Sequence, residues 1–100
     1  MSNLSEKQFM AQVAELFRLQ GFLVFHTHDS RRSEPGYPDL AMVKEKTGRL
    51  VYAELKVAKN RPTPAQEMWL AALKKSGVEV YVWYPEDFPE IVAVAERRAA

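Results

Sequence analysis

Two acidic side chains and a lysine lie in neighbouring β-prone runs of this sequence. Asp39 begins the run 39–44, and Glu54 lies inside the run 50–57 with Lys56 two residues further on. Side chains alternate along a strand, so Glu54 and Lys56 share one face. If the two runs pair through their short connection, Asp39 and Glu54 can face each other across the ribbon. Opposed carboxylates destabilise a sheet unless a positive charge lies between them, which predicts a divalent cation there.

The chemistry that fits these residue types is a metal-assisted reaction at a phosphate ester. One or two carboxylates, a backbone carbonyl and water molecules suit Mg²⁺ or Mn²⁺, and we assign that carbonyl to Leu55. The ammonium group of Lys56 could orient an attacking water or stabilise charge that develops at phosphorus. Taken singly, Asp39 fits an ordinary turn residue, and Glu54 and Lys56 fit a solvated strand face. Only the combination favours a catalytic site.

Two polar side chains on the apolar faces of predicted helices are further candidates. Helical spacing places Glu6 on the face formed by Phe9, Met10, Val13 and Phe17. It places Gln66 on the face formed by Trp69, Leu70 and Leu73. Glu6 could instead complement the helix dipole, and Gln66 could form a capping box with Thr63. Both explanations stay open from the residues alone.

Basic side chains are clustered only locally. The formal net charge is +1, from 14 Lys and Arg against 13 Asp and Glu, so binding of nucleic acid would need local clusters. Two predicted loops hold such pairs, Arg31 with Arg32 and Lys59 with Arg61. These pairs flank the predicted ribbon and could contact DNA phosphates, although solvated loop charge is an equally simple explanation.

A zinc site is a weaker hypothesis. His26 and His28 face the same way on an extended segment, but two histidines in a chain without cysteine fall short of the usual four ligands. His28 could instead approach DNA.

Length and composition predict one folded domain over residues 1–100. With 47% hydrophobic and 27% charged residues, the chain should bury a core. The lack of cysteine excludes disulfides, a thiol nucleophile and a cysteine zinc site. The apolar runs are far shorter than the ~18 residues of a membrane span, and no signal-peptide pattern opens the chain. We expect a soluble cytoplasmic protein of a bacterial or phage-infected cell.

Periodicity and capping residues predict the element order αβββαβα. The first predicted helix runs from a cap among residues 2–5 to about residue 20, and the other two cover residues 64–76 and 87–98. The predicted strands cover residues 22–26, 39–44, 50–57 and 78–83. The fold class is α/β, a four-stranded mixed sheet flanked by helices, with the last strand joined through a helical crossover.

Three details of these elements are specific enough to test. Ser2, Asn3 or Ser5 can cap the first helix. The continuous apolar run 22–26 predicts a strand covered on both sides. The last helix should begin at Asp87, with Glu90 completing a capping box. Its inner face should be formed by Phe88, Ile91, Val92 and Ala95.

Three motifs together resemble the signature of the VRR-NUC nucleases, the virus-type replication and repair members of the PD-(D/E)xK superfamily. They are GYPDL at residues 36–40, AELK at residues 53–56 and TPAQ at residues 63–66. The likeness covers nearly the whole chain and implies a restriction-endonuclease-like core.

The resemblance also implies a role for each candidate residue. Asp39 and Glu54 would bind the metal, Lys56 would assist the water, and Gln66 would support the site from the second helix. Glu6 matches the glutamate of the family's first helix through helical register.

The implied activity is that of a metal-dependent, structure-selective endonuclease that hydrolyses phosphodiester bonds in branched DNA such as Holliday junctions, as in DNA repair. Free-standing family members of about this size act as homodimers; a helicase or replication protein as a further partner stays open. The alternatives are a flap, single-strand or restriction-type nuclease on the same core, or a non-catalytic DNA-binding accessory module.

Overall fold

The structure, a computed structural model, describes residues 4–27 and 34–97. These residues form helices and strands in the predicted order αβββαβα, which confirms the α/β class. The helices are α1 (Glu6–Leu19), α2 (Pro64–Lys75) and α3 (Phe88–Glu96), and the strands are β1 (Phe22–His26), β2 (Leu40–Lys44), β3 (Leu50–Leu55) and β4 (Glu79–Trp83). A 3₁₀ turn, Pro85–Asp87, precedes α3. None of the helices in these two ranges is long and apolar enough to cross a membrane.

The four strands of the described chain form one mixed sheet in the order β1-β2-β3-β4. The β1–β2 and β2–β3 pairs are antiparallel, and the β3–β4 pair is parallel. A parallel pair needs a crossover connection, which α2 supplies between β3 and β4. The β2–β3 turn contains Gly48 at a φ of +75°, with its amide donating to the Lys44 carbonyl at 2.8 Å. The predicted hairpin and crossover are therefore both confirmed.

A reciprocal side-chain cap sets the start of α1. Ser5 Oγ accepts the Gln8 amide at 3.1 Å, and Gln8 Oε1 accepts the Ser5 amide at 2.9 Å. This capping box satisfies amides that have no partner inside the helix. Of the three caps that the sequence allows, the structure therefore uses Ser5. The helix ends before Gly21, which has a φ of +88°.

The core lies between one face of the sheet and the helices α1 and α3. Phe9, Val13 and Phe17 of α1 are fully buried. They belong to one cluster with buried residues of the sheet and α3, namely Phe22, Leu40, Met42, Val51, Ala53, Leu55, Trp83, Ile91, Val94 and Ala95. On the other face α2 packs against β4, and each residue of α2 stays at least partly exposed. That second face is therefore only partly covered.

The prediction that β1 is covered on both sides is wrong. Phe22 is buried, but Leu23 is 56% exposed and Phe25 is 61% exposed. The cause is topological, because β1 is an edge strand and α2 packs against β4 at the opposite edge. Every second side chain of this apolar run therefore faces solvent, although the run has no polar interruption.

The predicted capping box of the last helix is also wrong. Asp87 caps the 3₁₀ turn instead, because its Oδ2 accepts the Tyr84 amide at 2.9 Å. Glu90 lies 3.4 Å from the indole nitrogen of Trp83, which donates to it. The inner face of α3 also differs from the prediction, because Val94 is buried while Val92 is only half-buried.

Candidate active site

The register of the β2–β3 hairpin brings two carboxylates together. It pairs Leu40 with Ala53, and one further step along the ladder places Asp39 opposite Glu54. Directly opposed residues of neighbouring strands lie on the same face. Oδ2 of Asp39 accepts a hydrogen bond from the Leu55 amide at 2.9 Å, which anchors the aspartate to β3. The geometry that the sequence predicts for these two acids is therefore present.

Glu54 is a buried carboxylate with one free oxygen. The residue is 1% exposed. Its Oε2 accepts a hydrogen bond from Gln66 Nε2 at 2.8 Å and lies 3.3 Å from Lys56 Nζ. Its Oε1 is buried and has no hydrogen-bond partner among the residues that the structure describes. Leaving a buried carboxylate oxygen unpaired is costly, so this atom is suited to bind a cation.

The charges at the site repel one another. Burial and the neighbouring charge of Asp39 raise the pKa of Glu54 to about 7, although Lys56 acts in the opposite direction. Burial also raises the pKa of Asp39, against the lowering effects of the Leu55 amide and Lys56. The single positive charge of Lys56 thus offsets the two carboxylate charges only in part. A bound cation would let both acids ionise at neutral pH.

Gln66 makes the capping contacts and also reaches Glu54. Its amide donates to Thr63 Oγ1 at 3.2 Å and its Oε1 accepts the Thr63 amide at 2.8 Å, which is the capping box at the start of α2. Its Nε2 donates to Glu54. The cap therefore orients the side chain, and the remaining amide hydrogens reach the site.

The loop that leads to Asp39 lies against the start of α2. Gly36 has a φ of +92°, and a Cβ atom there would lie 2.4 Å from the Ala65 carbonyl oxygen. Only glycine fits this approach. On the other side, Thr27 follows β1 and donates its amide to the Asp39 carbonyl at 3.0 Å and its hydroxyl to the Pro38 carbonyl at 3.2 Å. Sequence patterns did not predict these contacts of Gly36 and Thr27, because both residues are distant in sequence from what they touch.

A cleft of about 500 Å³ opens beside Asp39. Glu6, which is exposed, lies in its wall together with Asp39 and Gln66. The other residues that line it are Lys7, Met10, His26, Thr27, Glu34, Pro35, Gly36 and Tyr37. Lys7 was not among the site residues predicted from the sequence, although it directly follows Glu6. The cleft gives solvent and a ligand access to Asp39 and Gln66, whereas Glu54 is buried and does not line it.

The donor set suits Mg²⁺ or Mn²⁺ better than a metal that needs an all-protein cage. Within residues 4–27 and 34–97 there is no group of three or more His, Cys, Asp or Glu side chains arranged to hold a metal. Mg²⁺ commonly keeps several waters and binds through one or two carboxylates, which Asp39 and Glu54 supply. The amide of Leu55 faces Asp39, and in a strand the carbonyl of the same residue points to the same edge. Leu55 can thus add a carbonyl ligand.

The predicted DNA-binding residues divide into two groups. Arg31 and Arg32 lie outside the described residues, as does His28 of the zinc hypothesis. Lys59 and Arg61 are exposed and line a second cleft of about 430 Å³, together with Tyr84 and other residues. Its remaining lining residues are Ala58, Pro62, Glu67 and Glu86.

Comparisons with known proteins show the family and the fold. The family model described as the VRR-NUC domain matches residues 2–86. A solved structure titled "VRR_NUC domain" superposes with a TM-score of 0.74 at 25% identity, over 94% of this chain and 97% of that one. A second solved structure, titled "VRR_NUC domain protein", superposes with a TM-score of 0.64 at 18% identity, over 93% of this chain and 86% of that one.

A third solved structure is Hjc of Archaeoglobus fulgidus, described as a Holliday junction resolvase from an archaeal hyperthermophile. It gives a TM-score of 0.51 at 22% identity, over 76% of this chain and 64% of that one, and it is similar in fold. A search of curated proteins finds no significant match. The family model spans most of the chain, including every motif that forms the site. The chain therefore belongs to the VRR-NUC domain family of nucleases.

Proposed function

We propose that the protein is a Mg²⁺- or Mn²⁺-dependent endodeoxyribonuclease of the PD-(D/E)xK type. The observation that carries the proposal is the buried Glu54 carboxylate, which has a free Oε1, faces Asp39 and lies beside Lys56. In a strand with only a structural role, we do not expect a buried acid and a half-buried acid beside one lysine, because burying charge is costly. Metal-assisted hydrolysis uses all three groups.

Each residue has a separate task in this reaction. Asp39, Glu54 and the Leu55 carbonyl would hold the cation. When bound, the cation supplies Lewis-acid chemistry, neutralising charge at phosphorus and lowering the pKa of water. Lys56 would orient the attacking water or stabilise the charge that develops on the phosphate. Gln66 holds one Glu54 oxygen at 2.8 Å, which leaves the other for the cation. Glu6, which lines the cleft, would act on water or on the cation there.

We propose that the substrate is branched DNA such as a Holliday junction. Lys59 and Arg61, with Arg31 and Arg32 of the other predicted loop, would contact backbone phosphates. A protein of 100 residues has little surface with which to read base sequence. The small surface therefore favours recognition of the shape of the DNA. The likeness of fold to a Holliday junction resolvase supports this substrate class.

We also propose that the protein works as a homodimer in the cytoplasm, in DNA repair. Leu23, Phe25 and Leu50 are exposed on the outer face of the sheet, where they line an apolar depression. A second copy that covers this face would remove these side chains from water. A helicase or replication protein is a further type of partner.

The decisive test is a cleavage assay on duplex, flap, splayed-arm, single-stranded and four-way-junction DNA. We expect cutting of the junction with Mg²⁺ or Mn²⁺ and none after chelation with EDTA. Asp39→Asn, Glu54→Gln and Lys56→Ala should each lower the rate by at least about a hundredfold while the variants still melt cooperatively. Glu45→Gln, an exposed acid in the β2–β3 turn, is the matched control and should cut normally.

The same assay separates the alternatives. If the protein prefers a flap or a single strand, the proposal of a branched substrate is wrong, but the assigned site residues stand. Cutting by the Glu54→Gln and Lys56→Ala variants at the normal rate would reject the site. Binding of DNA without any metal-dependent cutting would instead identify an accessory module.

A further inference from the structure

Three aromatic side chains form a cluster beside the candidate active site. Tyr37 contacts Trp69 edge-to-face, with ring centroids 5.2 Å apart and an interplanar angle of 83°. It contacts Tyr52 in the same manner at 6.0 Å and 90°. Such edge-to-face pairs stabilise a fold beyond the area that they bury. We call Tyr37, Tyr52 and Trp69 the aromatic trio.

Each member of the aromatic trio lies within three positions of a different site residue. Tyr37 precedes Asp39 by two positions in the loop before β2, and Tyr52 precedes Glu54 by two positions within β3. Because side chains two apart on a strand share a face, Tyr52 and Glu54 lie on one face of β3. In α2, Trp69 follows Gln66 by three positions, which places the two on neighbouring positions of one helix face. The trio thus joins the three segments that supply Asp39, Glu54 and Gln66.

The helix that supplies Gln66 has few other anchors. No residue of α2, which lies wholly in the described chain, is fully buried. Its main contact with the sheet is at β4, the strand at the edge. Near its first turn, it meets the loop that precedes Asp39, at Gly36 and Tyr37. The position of Gln66 against Glu54 therefore depends on the aromatic contacts together with the Gly36 approach and the Thr63 cap.

We propose that Tyr37, Tyr52 and Trp69 are positioning residues that hold Asp39, Glu54 and Gln66 in register for binding the divalent cation. This inference rests on the proposed function, because it assigns the trio a role at that same site. If the trio is loosened, α2 can shift and Gln66 can release Glu54 Oε2. A free Glu54 side chain would then present its oxygens to the cation less well, since partners outside the ligand shell typically affect metal affinity about 10- to 100-fold.

The experiment is a titration of the purified full chain with Mn²⁺, in which free Mn²⁺ is measured by electron paramagnetic resonance. Tyr37→Leu and Trp69→Leu should each weaken Mn²⁺ binding about tenfold. Tyr37→Phe and Trp69→Phe keep an aromatic ring in place and should stay within about twofold of the parent. Phe22→Leu is the matched control, because Phe22 makes an edge-to-face contact with Phe17 at 4.9 Å in the core. It should lower the melting temperature without changing the Mn²⁺ affinity.

A second measurement follows Gln66 itself without metal. The side-chain NH₂ resonances of Gln66 should exchange slowly with solvent in the parent and in Tyr37→Phe, since Nε2 donates to Glu54. They should exchange rapidly in Tyr37→Leu and Trp69→Leu.

The outcomes distinguish this inference from the proposed function. Parent-like Mn²⁺ affinity and parent-like Gln66 exchange in the leucine variants would overturn the inference, even if the parent protein cuts DNA normally. So would an equal loss of affinity in Phe22→Leu, because that would indicate general loosening of the fold. A parent protein that binds no Mn²⁺ would overturn the proposed function and, with it, the role given to the trio.

Discussion

At the scale of single residues, the most informative group is the carboxylate of Glu54. Its folded pKa, about 7, lies above its ordinary value of 4.5. The folded chain therefore holds this proton to a higher pH than the unfolded chain does. By linkage, the contribution of Glu54 makes the metal-free protein less stable as the pH rises from 4.5 to about 7. The ionised Glu54 carboxylate thus lowers the stability of the fold at the pH at which the proposed reaction needs that carboxylate.

We therefore predict that Glu54→Gln stabilises the metal-free protein at pH 8 while it abolishes cleavage. A neutral amide avoids the cost of burying a charge and can still accept the hydrogen bond from Gln66. We expect a gain on the order of 1 to 3 kcal/mol at pH 8 and a smaller one at pH 5. Urea unfolding with EDTA at both pH values measures it. Loss of stability at pH 8 would show that the stabilising ion pair of Glu54 with Lys56 outweighs the cost of burying the Glu54 charge.

At the scale of elements, the approach of the Asp39 loop to α2 decides whether the site forms. Gly36→Ala places a Cβ atom 2.4 Å from the Ala65 carbonyl, and its backbone has a positive φ. We predict a loss of at least about 2 kcal/mol in the free energy of unfolding, with loss of cleavage. The control is Gly48→Ala, which has a φ of +75° but no neighbouring atom within 4 Å of the added Cβ.

Gly48→Ala should lose only about 1 kcal/mol, the conformational cost, and should keep its cleavage rate. Urea unfolding and the junction assay compare the two variants. If Gly36→Ala behaves like Gly48→Ala in both measurements, the loop does not need its close contact with α2.

A second feature at this scale is the ionic link between the start of β3 and β4. Arg49 Nε and Nη2 donate to the two Glu79 oxygens at 2.6 and 2.9 Å, and Arg97 and the Tyr81 hydroxyl also donate to Glu79. The bond from Arg49 is the main reason that the pKa of Glu79 falls to about 2. A lowered carboxyl pKa stabilises the fold above the ordinary pKa of 4.5, and this contribution is lost as the pH falls to about 2.

We expect that Glu79→Gln loses about 1 kcal/mol at pH 7, a value that allows for the partial exposure of the pair. The loss should become smaller as the pH is lowered through 4 towards about 2, since the parent protein then protonates Glu79 as well. Chemical unfolding at several pH values tests this. Glu15→Gln, an exposed acid of α1, should show no such loss at any pH. A constant difference between parent and Glu79→Gln at all pH values would contradict the linkage.

At the scale of the whole molecule, the exposed apolar face of the sheet is the main feature without a covering element among the described residues. In the strand register Leu23 lies opposite Val43, and Val43 lies opposite Leu50. Phe25 is paired with Ala41 in the adjacent row. These rows form one continuous apolar surface.

If a second copy covers this surface, Phe25→Lys should convert a dimer to a monomer without unfolding it. The charge would be buried unpaired in the interface of the dimer but solvated in the monomer. Sedimentation velocity over a range of protein concentrations measures the state of association. Met68→Lys is the control, because Met68 is 74% exposed on α2 and does not line the apolar depression formed by Leu23, Phe25 and Leu50. A parent protein that is monomeric at all concentrations, or a Phe25→Lys dimer, would reject this interface.

Local patterns in the sequence determined the order of the elements and brought the acids of the candidate site together. Capping residues and apolar spacing depend on neighbours within a few positions, so the helices and the hairpin followed from them. Alternation along β3 placed Glu54 and Lys56 on one face, and the hairpin brought Asp39 opposite. The single domain over residues 1–100 and the cytoplasmic location remain predictions.

The tertiary structure alone decided which surfaces are covered and which groups meet across the chain. The exposure of Phe25, the burial of Val94, the contact of Gly36 with Ala65 and the aromatic trio all depend on where α2 and α3 lie relative to the sheet. No short-range pattern contains that information, because such contacts join residues far apart in sequence. The free Oε1 of Glu54 belongs to the same class. Residue type shows that a carboxylate can bind a cation, but only packing leaves one of its oxygens buried without a partner in the described part of the chain.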